Sequence, residues 1–295
     1  MTTLPFKGAA SAVVTPMKNG EIDFEAFSRI IDIQVNSGVS AIVICGTTGE
    51  APTLTEAEKL SLYKAAVDNV KGKIKVIAGC GSPSTAFTVS LARQAESLGV
   101  DAILTVTPYY NKCSAEGLYL HYKTIAESVY LPVIAYNVPS RTGVDIPMET
   151  YEKLAGIENL AGVKEASGNI SKAEKIKANF GNRFAIYSGN DDLIAPLYAV
   201  GGNGVVSVIS NIMPRETAEL CRLCDDGDMS KAAKLQTYLY PMVQALFSEV
   251  NPIPVKTALE LMGICSAEMR LPLSPMSEVE KKKLRSVMER YGLLG

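Results

Sequence analysis

Eight short, β-rich apolar runs recur through the first 208 residues, with helical-period segments between them. The runs are Ser11–Val14, Ala41–Cys45, Lys75–Ala78, Ala102–Val106, Val133–Tyr136, Gly162–Lys164, Ala185–Tyr187 and Val205–Val208. Each is too short for a typical helix and reads as a strand buried on both faces, the pattern of a parallel sheet. The helical segments include Asp23–Asn36, Glu56–Val70, Thr85–Leu98, Ala115–Val129 and Pro214–Cys224. Eight strands alternating with helices predict an α/β fold of the (β/α)8, or TIM-barrel, type. A doubly wound sheet usually carries a glycine-rich fingerprint after its first strand, where this chain has Thr15-Pro16-Met17-Lys18. Helix starts are marked by a Thr55/Glu58 capping box and by Pro147 and Pro214 at first-turn positions.

After Cys224 the strands stop. Asp225-Asp226-Gly227-Asp228 is a polar break, and Ser230–Glu249, Pro254–Met262 and Ser277–Tyr291 read as helices only. Residues 1–224 are therefore expected to form the barrel, and residues 225–295 a C-terminal helical extension.

Composition narrows the chemistry. A net charge of −2 gives no electrostatic reason to expect nucleic acid as a partner. No apolar run reaches the roughly 18 residues of a membrane span, and Met1 to Lys7 has no signal-peptide core, so a cytoplasmic protein with no membrane partner is expected. Cys221 and Cys224 form a CxxC, but within a helical pattern, with no second pair and no histidine nearby. That falls short of the ~4 ligands of a zinc site. His121, the single histidine, falls in the Ala115–Val129 helix on a face expected to meet solvent. With no spare imidazole, no metal site is expected, and acid–base work falls to Tyr, Lys, Asp or Glu.

In a barrel, residues just past each strand converge on one pocket. Lys164 lies at the end of the run Leu160-Ala161-Gly162-Val163-Lys164-Glu165-Ala166-Ser167. Desolvation there would favour a neutral amine able to attack a carbonyl, although a strand-end lysine can also simply reach for solvent. Strand two is followed by Gly46-Thr47-Thr48-Gly49-Glu50, with two hydroxyls suited to a carboxylate, or an ordinary glycine turn. Strand four is followed by Thr107-Pro108-Tyr109-Tyr110-Asn111, and strand five by Tyr136-Asn137-Val138-Pro139-Ser140-Arg141-Thr142-Gly143. Ser188-Gly189-Asn190-Asp191 follows strand seven. Singly, Tyr136 could be core and Arg141 a surface charge. Together, a lysine, phenols, vicinal threonines and an arginine suit carbonyl chemistry on a carboxylate substrate. Gly201-Gly202-Asn203-Gly204 precedes strand eight, which puts it at the opposite end from a barrel phosphate site.

Four of these segments, Gly46–Glu50, Tyr109–Asn111, Tyr136–Gly143 and Lys164–Ser167, resemble those of the dihydrodipicolinate synthase family. That family belongs to the pyruvate-dependent class I aldolase superfamily, together with N-acetylneuraminate lyase. The likeness runs over essentially the whole chain. It implies condensation of pyruvate with L-aspartate semialdehyde, on the route to diaminopimelate and lysine. It implies that Lys164 forms a Schiff base with pyruvate, and that Tyr136 moves protons in a relay with Thr47 and with Tyr110 of a neighbouring subunit. Thr48 would bind the pyruvate carboxylate, Arg141 the carboxylate of the second substrate, and the backbones of Gly189 and Val206 would line the pocket. The same likeness implies a homotetramer of tight dimers. It implies no metal or organic cofactor, because the iminium is its own electron sink.

Two alternatives stay open at this point. A sister lyase or aldolase for sialic or 2-keto-3-deoxy sugar acids would also use Lys164 and Tyr136, and Arg141 argues against it. A non-catalytic carboxylate-binding relative would be expected to have lost Lys164 or Tyr136. Feedback-regulated members of the family bind L-lysine at positions that match Pro52, Glu56, Lys59, Pro83 and Phe87, beside Tyr109. A cation at Lys59 and apolar side chains at Pro83 and Phe87 predict weak or absent inhibition by lysine.

Overall fold

A computed structural model describes residues 4–294. Eight parallel strands close into a barrel: β1 (Gly8–Ala12), β4 (Ala41–Ile44), β5 (Lys75–Gly79), β6 (Ala102–Val106), β7 (Val133–Asn137), β8 (Leu160–Glu165), β9 (Ala185–Ser188) and β10 (Gly204–Ser207). Between the first two barrel strands lies a small antiparallel hairpin, β2 (Met17–Lys18) and β3 (Glu21–Ile22). Asn19 and Gly20 turn it with positive φ at both positions, the geometry hairpins favour. Among the described residues no helix is long and apolar enough to cross a membrane.

The helices are α1 (Phe24–Val35), α2 (Glu56–Val70), α3 (Thr85–Ser97), α4 (Ala115–Ala126), α5 (Pro139–Thr142), α6 (Met148–Leu154), α7 (Ile170–Phe180), α8 (Ile194–Ala199) and α9 (Pro214–Asp225). Three more follow: α10 (Met229–Leu246), α11 (Ile253–Leu261) and α12 (Glu278–Arg290). The capping box holds, with Thr55 Oγ1 accepting from the Glu58 N–H and Glu58 Oε2 accepting from the Thr55 N–H. Pro214 sits in the first turn of its helix, whereas Pro147 stands one step earlier, as the cap residue.

Alternate strand residues face two cores. Ala41 and Val43 point into the barrel, while Ile42 and Ile44 pack outward against the helices. Phe6 stacks on Tyr187 at 4.0 Å between ring centroids, and the Tyr187 phenol donates to the Phe6 carbonyl at 2.7 Å. The first strand is shifted from its expected Ser11–Val14 to Gly8–Ala12. Small residues hide it from an apolar pattern, yet closure needs them: a Cβ on Gly204 would stand 2.1 Å from the Gly8 carbonyl oxygen.

His121 does not share a face with solvent. It is buried between α3 and α4, its Nδ1 2.8 Å from Thr85 Oγ1, and Nε2 has no partner among the described residues. Burial pulls the imidazole from its ordinary value of 6.5 down to about 4. The unfolded chain therefore binds a proton here that the folded chain refuses. Stability carried by neutral His121 is whole above pH 6.5, falls as pH drops toward 4 and levels off below, by up to about 3 kcal/mol in all. A His121→Gln variant is expected to lose stability less steeply than the parent over that window, and urea titrations at pH 7, 5.5 and 4.5 would show it.

Candidate active site

The parallel ladder between β7 and β8 sets Tyr136 beside Lys164 and Asn137 beside Glu165. Both members of the first pair are buried, each 7% exposed, and Lys164 Nζ lies over the Tyr136 ring at 4.0 Å from its centroid. A primary amine thus stands against a phenol inside an apolar barrel, with Tyr136 and Val206 in the same interior cluster. Gly189 leaves room for the lysine stem. A Cβ there would meet Lys164 Cε at 3.1 Å and Ala166 Cβ at 2.5 Å.

Below the rim, Glu165 and Asn137 are held by each other. Asn137 Nδ2 donates to both Glu165 oxygens, and Glu165 Oε1 also accepts from the Ser167 N–H at 2.7 Å. Across the barrel, buried Asp191 accepts from the Val208 and Ile209 N–H groups at 2.9 Å each, tying the loops after β9 and β10 together. Desolvation pushes the Asp191 carboxyl above its ordinary value.

After β4 the chain turns through Gly46–Glu50, with Cys45 and Glu50 both left-handed. The Gly49 and Glu50 amides are used inside the turn, bonding to Gly46 and Thr47 carbonyls. The amides of Thr47 and Thr48 donate to none of the described residues, so they are open to an anion. Thr47 lines a cavity of ≈ 300 Å³ with Tyr136, Tyr109 and Arg141, and Thr48 lies buried behind it. Arg141 projects from α5, itself steadied by Thr142, whose hydroxyl accepts from Thr107 Oγ1 at 2.9 Å.

All eight expected site residues lie toward the C-terminal end of the strands, but Tyr110 stands apart from the other seven. It is 94% exposed at positive φ on the loop after β6, and Tyr109 occupies the cavity wall instead. Burial raises the Tyr109 phenol above its ordinary value. No group of three or more His, Cys, Asp or Glu able to hold a metal occurs among the described residues.

With this geometry in view, comparison with known proteins is specific. The sequence profile of the dihydrodipicolinate synthetase family matches residues 5–291. The chain belongs to that family. A 4-hydroxy-tetrahydrodipicolinate synthase of Alkaliphilus oremlandii is 48% identical over 289 residues, covering 98% of this chain and 100% of the relative. The crystal structure of dihydrodipicolinate synthase from Thermotoga maritima superposes with a TM-score of 0.96 at 45% identity, over 98% of this chain and 99% of that one. A chloride-inhibited dihydrodipicolinate synthase from Acinetobacter baumannii, in complex with pyruvate, does so with a TM-score of 0.96 at 39% identity, over 98% and 99%.

Sequence reasoning missed the groups that brace the family's threonine turn. Lys256 in the first turn of α11 is fully buried, and its Nζ donates to Glu50 Oε1 at 2.6 Å and to the Thr15 carbonyl at 2.9 Å. The Glu268 carbonyl accepts from it too. Glu50 Oε2 accepts in turn from the Arg270 N–H. A basic residue between Val255 and Thr257 in a helix gives no hint of a partner 206 positions away. Desolvation lowers the Lys256 ammonium from its ordinary value, and Glu50 opposes that. Removing one partner strands the other charge in the interior. Lys256→Met is expected to cost about 3–5 kcal/mol by urea unfolding, and Glu50→Gln with Lys256→Met to recover most of it.

Proposed function

We propose that this protein is a 4-hydroxy-tetrahydrodipicolinate synthase, joining pyruvate to L-aspartate semialdehyde in the cytoplasm. The observation that carries the reading is the Lys164 amine set over the ring of Tyr136, which itself lines a cavity together with Thr47 and Arg141. In this reading residues 1–224 form the catalytic barrel and residues 225–295 a helical domain that braces it.

Lys164 Nζ attacks the keto carbon of pyruvate, and loss of water leaves an iminium. That cation draws electrons from the neighbouring methyl, which gives up a proton to become an enamine, so no metal or organic cofactor is called on. The enamine carbon bonds to the aldehyde carbon of the second substrate. The amino group of that substrate then displaces Lys164 and closes the ring. Tyr136 carries protons in these steps with Thr47 beside it, in a water-poor site where a positioned phenol is effective. Thr48 and the open turn amides hold the pyruvate carboxylate, and Arg141 that of the semialdehyde. Gly189 and Val206 shape the floor.

Tyr110, fully presented to solvent on a left-handed residue, is read as the group a second copy inserts to complete the relay, within a homotetramer of tight dimers. At the cavity's outer end Lys59 stands over the Phe87 ring at 5.7 Å, with Pro52 and Tyr109 beside them. Glu56 is already engaged by Gln94 at 2.6 Å. A cation faces the place where a cationic effector would bind, so feedback by lysine is weak or absent in this reading.

Borohydride reduction with pyruvate, read by intact mass and peptide mapping, is expected to give one adduct, on Lys164. No adduct from folded protein would end the reading. Tyr136→Phe is expected to lower turnover by about 10²-fold with an unchanged melting curve. In a coupled assay, submillimolar L-lysine is expected to leave the rate near its uninhibited value, and strong inhibition would contradict the assignment of Lys59.

A further inference from the structure

The turn carrying Thr47 and Thr48 is gripped at two points by the chain beyond the last barrel strand, at α11 and in the turn before it. One is the buried Glu50–Lys256 pair, which locks the first turn of α11 to the end of the turn. The other lies five residues earlier, at Asn251. Its side chain is buried; Nδ2 donates to Thr48 Oγ1 at 3.1 Å, while Oδ1 is buried without a partner among the described residues. The Asn251 backbone carbonyl accepts from Arg141 Nη2 at 3.4 Å. One residue outside the barrel therefore touches both groups assigned to carboxylates.

A threonine hydroxyl has one hydrogen to donate and two lone pairs to accept with. The Asn251 amide occupies an accepting position on Thr48 Oγ1, and that oxygen donates to none of the described residues. Its hydrogen is left for a ligand. Were the amide reversed, the carbonyl would capture that hydrogen and turn a lone pair toward the anion, which repels it.

We propose that Asn251 is a positioning residue, orienting the Thr48 hydroxyl so that it donates to the carboxylate of the keto-acid substrate. This rests on the reading of Thr48 as a pyruvate ligand. The Glu50–Lys256 clamp keeps the two residues in register, and Asn251 sets the direction of one hydrogen.

The test measures half-saturation by pyruvate, from borohydride-trapped adduct on Lys164, in the parent and in Asn251→Ala, Asn251→Asp, Thr48→Val and the Thr48→Val/Asn251→Ala double variant. Circular dichroism melts establish that each is folded. Asn251→Ala is expected to weaken pyruvate about fivefold, the scale of one hydrogen bond, with a smaller change in KM for the semialdehyde, because the backbone carbonyl remains. Asn251→Asp, close to isosteric, is expected to be worse at pH 8 and to gain on Asn251→Ala as the pH falls and its carboxyl becomes a donor. Packing alone would not produce that crossover. In the Thr48→Val background the alanine substitution is expected to add nothing. Additive losses in the double variant, or an aspartate variant that binds pyruvate like the parent, would overturn the proposal. Absence of any adduct in the folded parent would instead bring down the underlying reading of the site.

Discussion

Closure of the barrel depends on two backbones meeting at Gly8 and Gly204, too closely for a side chain on Gly204. That contact lets β10 pair with β1, so the parallel sheet has no free edge and every strand has two neighbours. In such a closed ladder the register of one pair is constrained by all the others. The pairing of Tyr136 with Lys164 is therefore a property of the whole sheet. A one-residue slip between β7 and β8 would turn one of the two side chains out of the barrel.

Reactive placement is then a matter of what surrounds that pair. Strands supply rigid positions for Lys164, Tyr136 and Val206, while turns supply open amides and hydroxyls at Thr47 and Thr48. Turns are mobile unless tied, and this one is tied from far away in the chain. The Glu50–Lys256 pair and the Asn251–Thr48 hydrogen bond both come from residues beyond the last strand. A buried ion pair is a poor source of net stability but a stringent constraint on geometry, because its members tolerate no other neighbours. The C-terminal helices thus reach into the site that the barrel opens.

Much of this could be read along the chain. Long periodic elements stood out, and α2 runs over Glu56–Val70 as expected from its period and capping box. Short or small-residue elements did not. The Gly8–Ala12 strand lacks branched residues, and the hairpin β2–β3 has only two residues per strand. His121 read as half-solvated because helical period locates a face but not the helix packed against it; α3 covers that face here. Tyr109 and Tyr110 are adjacent and chemically alike, yet the left-handed φ of Tyr110 sends one to the cavity and the other to the surface.

By itself the sequence determined the fold class, the end of the barrel where the candidate site residues gather, and the residue types available there. Those follow from periodicity and from strand-end position, both of which are local. Membership of the family followed from motifs that are likewise contiguous. Only the tertiary structure decided that Asn251, Lys256 and Glu50 would meet at the threonine turn, and that Tyr110 would stand exposed while Tyr109 lines the cavity. Their pairing spans about 200 residues, and nothing in a local pattern records which distant side chain will neutralise a buried charge.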